Sequence, residues 1–277
     1  MAARRAAAAA DARVIVFSTV TAALLQRPSV PYAVRFDSPA SLNRPGLAGA
    51  WQRAAERRVL RGARVLLPWG DAAPSPSAVA TVPLHVPVET VPAAATRDID
   101  ALAYAGYAQK RGLDLLMTAW ASVAKPGQRL VVAGIDGERG EGWLREHGIA
   151  VPAGVEWSGL LERAEWAALL GRARTFVNAS RREDHGLSQL EALAAGAMLV
   201  TVPSAGAYEA LPIARRLDPR LVAAAIDSEA LAAALSAGLA ADRGDYAARA
   251  ARELEPYSPA AVRRVFEERV VPALGLR

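Results

Sequence analysis

The sequence predicts an α/β fold built on parallel sheets, and three features support this prediction. Apolar runs at Thr175 to Ala179 and at Met198 to Pro203 are typical of strands that are buried on both faces. Between these runs, leucines and alanines recur at helical spacing, with Gly186 at the start of the helix and Gly196 at its end. Strands and helices alternate in the same way along much of the chain, which favours parallel pairing.

The first part of the chain contains fewer predicted elements. Strands are expected at residues 13–18, 32–36 and 64–69, with helices at residues 21–26 and 48–62. Residues 82–88 are expected to be extended. Residues 88–100 carry little pattern and are predicted to link two domains, which comprise residues 1–95 and residues 96–277.

The second part repeats strand and helix more regularly. Further strands are expected at residues 101–105, 130–135, 155–158 and 221–226, and helices at residues 113–123, 141–147, 162–173, 229–240, 245–254 and 259–274. This succession is typical of a doubly wound sheet, in which the loops that follow the strands lie on one edge. Ligands of such folds bind at that edge.

Composition argues against several classes of function. Because the sequence contains no cysteine, a disulfide framework and a thiolate metal site are excluded. His85, His147 and His185 are widely separated, so no histidine-based metal centre is expected. No run reaches the roughly 18 apolar residues that span a bilayer, and the first residues do not resemble a signal peptide. We therefore expect a cytoplasmic protein.

The net charge of +5 is unevenly distributed. Residues 1–95 contain eleven arginines and five acidic residues, a balance of +6, and the remainder sums to −1. A basic first half could contact an anionic membrane surface, a phosphorylated acceptor or only water, and the arginine-rich helix at residues 48–62 is the candidate for peripheral contact with the inner membrane face. Nucleic acid is not expected as a partner, because no recognition motif is present.

Two carboxylates, Glu183 and Glu191, lie on either side of the helix start at Gly186. A helix start that follows a parallel strand offers backbone N–H groups and a positive dipole end, which favour a diphosphate. Glu191 would then accept hydrogen bonds from ribose hydroxyls, and Glu183 would face a sugar. In the alternative interpretation, Glu183 only favours the helix dipole and Glu191 is a solvated helix residue.

The segment SRREDHGLSQLEALAAG resembles the E-x7-E motif of family 4 retaining glycosyltransferases. Two other segments, AYAGYAQKRGLDLLMTAW and RLVVAGIDG, are similar to the first part of the donor domain in that family. The resemblance extends from about residue 98 to the C-terminus. It implies the GT-B fold, in which two Rossmann-like domains face a cleft. By this resemblance the first domain is expected to be shortened, and the last helix is expected to cross back onto it.

The resemblance also implies roles for particular residues. Glu183 would be catalytic, because it would orient the transferred sugar and support its anomeric centre. Glu191 would hold the ribose, while Lys110 and Arg111 would bind the diphosphate. The other donor-binding candidates are Gly106, Asp184, His185, Gly186 and Leu187, and VPSAGAYEALP resembles a family loop in which Glu209 would border the donor pocket.

The loop of residues 35–46 supplies the candidates in the first domain. Asp37 occupies a strand end where the resembling family often has a histidine, and it is the second catalytic candidate. The acceptor-side candidates are Arg35, Asn43 and Arg44.

The implied activity is transfer of a sugar from a nucleotide diphosphate-sugar to an alcohol acceptor, with retention and without a metal ion or cofactor. The acceptor stays open between a glycan, a lipid-linked molecule and a small molecule. One alternative is a non-catalytic or partner-dependent protein that binds nucleotide-sugars, because the glycine-rich loop that follows the first strand in this family has no counterpart here. Another is a nucleotide-sugar epimerase on the same fold, which should need more acid-base residues.

Overall fold

The computed structural model describes residues 5–6, 10–44, 46–71, 79–92 and 94–276, and the side chain of Asn43 lies outside the described part. The chain divides into two compact units. Residues 1–87 and 256–277 form the first, and residues 88–255 form the second. The division lies before the predicted boundary at residue 95, and the C-terminal segment groups with the first unit.

The first unit is built on a parallel sheet. Its strands are Ile15–Phe17 (β1), Tyr32–Phe36 (β2) and Val65–Pro68 (β3), in the order β1-β2-β3. Its helices in this part of the chain are Val20–Ala23 (α1), Ala40–Asn43 (α2) and Ala50–Gly62 (α3). The extended segment predicted at residue 82 runs beside β3, where the backbone amides of Val82 and Leu84 donate to the carbonyls of Leu66 and Pro68, each at 2.9 Å.

The second unit contains a larger parallel sheet. Its strands are Ile99–Tyr104 (β4), Leu130–Ala133 (β5), Val155–Gly159 (β6), Ala173–Asn178 (β7) and Met198–Thr201 (β8). Its helices are Leu113–Val123 (α4), Gly137–Glu146 (α5), Arg163–Arg172 (α6), Leu187–Ala194 (α7), Ala210–Leu217 (α8), Ser228–Ala240 (α9) and Tyr246–Glu253 (α10). The strand order is β6-β5-β4-β7-β8, which is that of a doubly wound sheet. The predicted α/β fold with two Rossmann-like units is confirmed.

The apolar sequences of the strands explain why this sheet is covered by helices. Every residue of β5 and β8 is buried, as is expected for parallel strands that are packed on both faces. The helix α4 contributes the fully buried Trp120, whose indole N–H donates to the carbonyl of Ala153 at 3.1 Å. A buried indole is tolerated there because its one polar atom has a partner.

The C-terminal segment continues the first unit. It contains Pro259–Val265 (α11), a π-helical stretch at Phe266–Val270 and Val271–Ala273 (α12), so the single helix predicted over residues 259–274 is interrupted. Val270 and Leu274 are buried against Val65 and Leu67 of β3. The segment therefore supplies part of the hydrophobic core of the first unit.

One predicted element of the second unit is wrong, and one predicted helix has a different start. The strand predicted at residues 221–226 is absent, since a 3₁₀ turn forms at Pro219–Leu221 and only Val222 pairs, with Thr201. The Asp218 side chain accepts the backbone N–H of Arg220 at 3.0 Å and so stabilises the turn. The helix predicted from residue 141 begins at Gly137, because Asp136 caps it by accepting the N–H of Arg139 at 2.9 Å.

Candidate active site

The candidate site lies where the strand order of the second unit changes direction. After β4 the chain adds β5 and β6 along one direction of the sheet. It then returns to the opposite edge of β4, where β7 pairs with β4 and β8 follows. The loops that follow these two strands meet, since the backbone N–H of Arg181 donates to the carbonyl of Lys110 at 3.0 Å. This edge is where doubly wound sheets bind ligands.

Gly112 allows the two loops to approach each other. It has a φ of +65°, and a Cβ atom at this position would lie 2.1 Å from the carbonyl oxygen of Ala179, at the end of β7. Only glycine fits such a left-handed position against another backbone. Gly112 also precedes α4, so the contact fixes the position of Lys110 and Arg111 on the loop.

Glu183 is almost fully buried between two donors. Its side chain is 3% exposed and accepts hydrogen bonds from the guanidinium of Arg111 and, at 2.8 Å, from the amide of Gln189. Its backbone N–H donates to the carbonyl of Ala205 at 2.8 Å. A buried carboxylate is expected to have such charge-assisted partners. Gln189 was not among the predicted site residues, although it lies on α7 only two residues after the predicted Leu187.

The neighbouring acid, Asp184, pairs with the second predicted cation. Lys110 Nζ lies 2.7 Å from Asp184 Oδ2, and the Arg182 guanidinium lies 3.5 Å from Asp184 Oδ1. The structure therefore brings together the predicted residues Lys110, Arg111, Glu183 and Asp184. Both predicted cations are paired with carboxylates of the loop that follows β7.

A buried polar network supports the start of α7. Gly186, the residue before the helix, has a φ of +89°, and a Cβ atom there would lie 2.8 Å from the ring of Tyr208. The Tyr208 hydroxyl hydrogen-bonds Asn178 at 3.2 Å and Thr201 at 2.8 Å. Burial raises the pKa of Tyr208, so the phenol stays neutral. In the sequence, Asn178 and Thr201 are the polar residues that close the apolar runs at the ends of β7 and β8.

Glu191 lies one turn into α7 and is oriented by an indole. Its Oε2 accepts the Nε1–H of Trp166 at 2.8 Å. Trp166, on α6, packs edge-on against Tyr104 and Phe176 with both pairs of ring centroids 6.1 Å apart. The aromatic cluster thus holds the carboxylate in a defined place, which spacing along the sequence does not reveal.

The remaining donor-side candidates surround these groups. His185 is buried, and its carbonyl accepts the backbone N–H of Glu209 at 3.1 Å, which joins the two loops that were predicted to border the site. Leu187 is the first residue of α7. Gly106 lies on the loop after β4, where a Cβ atom would meet the Tyr104 hydroxyl at 2.5 Å.

The first-unit candidates occupy separate environments. Asp37 and Arg44 line a cavity at the carboxyl ends of the strands. Arg35 instead braces the unit, because its Nη2 donates to the carbonyls of Leu84 and His85 at 3.2 and 3.3 Å. The side chain of Asn43 is outside the described residues.

The described residues contain neither a candidate metal cluster nor a candidate membrane-spanning helix. No group of three or more histidine, aspartate or glutamate side chains among them could hold a metal ion. No helix in the same part of the chain is long and apolar enough to cross a membrane.

The point where the strand order reverses, between β4 and β7, is the switch point of this doubly wound sheet. The start of α7 and the cationic side chains of Lys110 and Arg111 meet there, which defines an α/β protein with a candidate anion-binding site. The particular family follows from comparison with known proteins. The model of the family described as glycosyl transferases group 1 matches residues 100–241, just over half of the chain. The chain therefore belongs to the group 1 glycosyltransferases. No curated protein matches the sequence significantly.

Solved structures show the same fold at low sequence identity. Sucrose-phosphate synthase from Thermosynechococcus elongatus is 17% identical, with 95% of this chain and 74% of that chain covered and a TM-score of 0.71. HepE from Anabaena, crystallised with UDP and glucose, is 13% identical, with coverages of 98% and 81% and a TM-score of 0.74. WaaG, a glycosyltransferase involved in lipopolysaccharide biosynthesis, is 16% identical, with coverages of 90% and 79% and a TM-score of 0.64.

Proposed function

We propose that the protein transfers a sugar from a nucleoside diphosphate-sugar to an alcohol acceptor, with retention of anomeric configuration and without a divalent metal ion. This corresponds to a retaining, family 4 type enzyme. The observation that carries the proposal is the cluster at the switch point. There, two glutamates flank the start of α7, and Lys110 and Arg111 lie on the adjoining loop.

The diphosphate of the donor is assigned to the start of α7 and the two cations. The first N–H groups of a helix and its positive dipole end favour a phosphate. Arg111 and Lys110 add charge-assisted hydrogen bonds, and the fork of arginine suits two phosphate oxygens. Because the cations pair with Glu183 and Asp184 in this structure, the diphosphate would have to share or replace these carboxylates when it binds.

The nucleoside is assigned to Glu191. A carboxylate can accept hydrogen bonds from both hydroxyls of a ribose, and the bond from Trp166 sets its orientation. The structural neighbour HepE was crystallised with UDP and glucose, which supports a nucleotide-sugar as the donor class.

The reacting sugar is assigned to Glu183. Its negative charge, held among Arg111 and Gln189, would orient sugar hydroxyls and stabilise positive charge at the anomeric carbon. As the bond to the donor oxygen breaks, negative charge grows on the departing diphosphate. Lys110, Arg111 and the helix start would offset that charge, which is why no divalent ion is required in this proposal.

Release of nucleoside diphosphate from nucleotide-sugars tests the proposal. The protein is incubated with UDP-glucose, UDP-N-acetylglucosamine, GDP-mannose and ADP-glucose, each with EDTA and with magnesium. No alcohol acceptor is added, so water accepts the sugar and the donor is hydrolysed. One donor should release its diphosphate equally under both conditions. Proton NMR should show the released sugar first as the same anomer as in the donor.

Three outcomes count against parts of this function. Release of the opposite anomer first would contradict retention, and loss of release in EDTA would contradict metal independence. Binding of a nucleotide-sugar without any release would favour a non-catalytic binding protein, a second candidate that the pairing of both cations with carboxylates supports.

A further inference from the structure

The first unit has a cavity that the proposed donor chemistry does not use. It lies at the carboxyl ends of the three strands, lined by Thr19 after β1, Asp37 and Ser38 after β2, and Trp69 after β3. Ligands of open parallel sheets bind at this edge. The volume of about 610 Å³ is within the usual range for small-molecule sites and has room for one or two sugar rings.

One wall of the cavity presents an exposed aromatic surface. Trp51, on α3, lines the cavity and is 59% exposed. An indole offers a flat apolar face and a polar N–H, a combination that is frequent at recognition surfaces. The C–H groups on one face of a pyranose ring match such a flat apolar face. A flexible alkyl chain gains less from it, because ordering the chain costs conformational entropy.

The floor of the cavity has buried polar groups. Ser38 is 4% exposed, and within the described part of the chain its side-chain hydroxyl has no hydrogen-bond partner. A buried hydroxyl without a partner lowers stability, and a hydroxyl group of a ligand would supply the missing hydrogen bond. Glu56, from α3, is 7% exposed and accepts the backbone N–H of Ala40 at 2.7 Å.

The charges of the lining favour a neutral ligand. Burial raises the pKa of the Glu56 carboxyl; the Ala40 hydrogen bond opposes this shift, and the charge of Asp37 adds to it. A phosphate in the cavity would face two acidic side chains, and Arg44 is the one cation among the lining residues that are described. An uncharged polyol can instead donate hydroxyls to both carboxyl groups and accept from Ser38.

We propose that this cavity binds a sugar ring of an uncharged glycoside, with Trp51 against one face of the ring and Ser38, Asp37 and Glu56 at its hydroxyls. The further statement that this glycoside is the acceptor rests on the proposed function of the second unit. The binding itself does not, because every residue used here belongs to the first unit.

The test titrates the intact protein, without nucleotide, with cellobiose, maltose and N,N′-diacetylchitobiose, followed by tryptophan fluorescence and saturation-transfer NMR. Decyl phosphate is titrated as a lipid-like anionic probe. At least one disaccharide should bind with a dissociation constant on the order of 1 mM. Trp51→Ala should weaken its binding at least about tenfold, and Ser38→Ala about threefold or more.

Leu47→Ala is the matched control, because Leu47 is 93% exposed and does not line the cavity. It should leave the affinity unchanged. Binding of none of the three disaccharides, binding that is insensitive to Trp51→Ala, or Trp51-dependent binding of decyl phosphate alone would each overturn the proposal. Binding of a nucleoside diphosphate without binding of any disaccharide would contradict only the proposal for this cavity. Binding of a disaccharide without binding of any nucleoside diphosphate would contradict only the donor site of the second unit.

Discussion

Replacing Glu183 with glutamine is expected to lower the turnover of sugar transfer by about 10²–10³-fold. Glutamine keeps the size of the side chain and an oxygen that can accept from Arg111 and Gln189, but it removes the negative charge assigned to the anomeric centre. Affinity for the nucleoside diphosphate should change by no more than about threefold, because the loss falls on the transition state. Steady-state rates of diphosphate release and calorimetric binding measure the two effects separately.

Glu141→Gln provides the control for this substitution. Glu141 is an exposed residue of α5 outside the site, and its replacement should leave both quantities unchanged. If Glu183→Gln retained turnover within about threefold of the original protein, the catalytic role of Glu183 would be wrong.

Gly112→Ala is expected to have the largest effect on stability. A left-handed conformation costs a non-glycine residue about 1–3 kcal/mol, and the new Cβ atom would also lie 2.1 Å from the Ala179 carbonyl oxygen. That clash is with backbone, so the loop carrying Lys110 and Arg111 would have to move. Denaturant unfolding should show the lower stability, and nucleotide titration should show weaker binding.

Gly127→Ala separates the clash from the conformational strain. Gly127 also has a positive φ, +86°, but a Cβ atom there would meet nothing within 4 Å. Its replacement should cost only the strain and leave nucleotide affinity unchanged. If both variants lost the same free energy of unfolding, the clash between the new Cβ atom and the Ala179 carbonyl would add nothing, which would contradict the prediction.

Local pattern was sufficient to predict the framework of the second unit. The apolar runs that form β7 and β8, and the helical spacing between Gly186 and Gly196, follow from residues that are near each other in sequence. The failed strand at residues 221–226 shows the limit of the same reasoning. An apolar run there is preceded by Asp218 and Pro219, whose local hydrogen bonds favour a turn over pairing.

The candidate site was only partly predictable because its contacts are long-range. Sequence reasoning selected Arg111 and Glu183, but their pairing depends on the meeting of two loops that are far apart in the chain. The bond between Trp166 and Glu191 likewise joins side chains from two different helices, α6 and α7. The sequence therefore predicts which side chains belong to the candidate site. Their hydrogen-bond partners and their burial can be read only from the folded structure.

Binding of nucleoside diphosphates at the carboxyl ends of β4 and β7 tests the proposed function most directly. Thermal and denaturant unfolding are measured with UDP, GDP, ADP and CDP, each with EDTA and with magnesium. One nucleotide, at about a hundred times its dissociation constant, should stabilise the protein by about 2.7 kcal/mol, independently of magnesium. Glu191→Ala should abolish this stabilisation, and Glu141→Gln should not. No stabilisation by any of the four nucleotides, or an equal effect in the Glu191→Ala variant, would contradict the assignment of this site to a nucleotide-sugar donor.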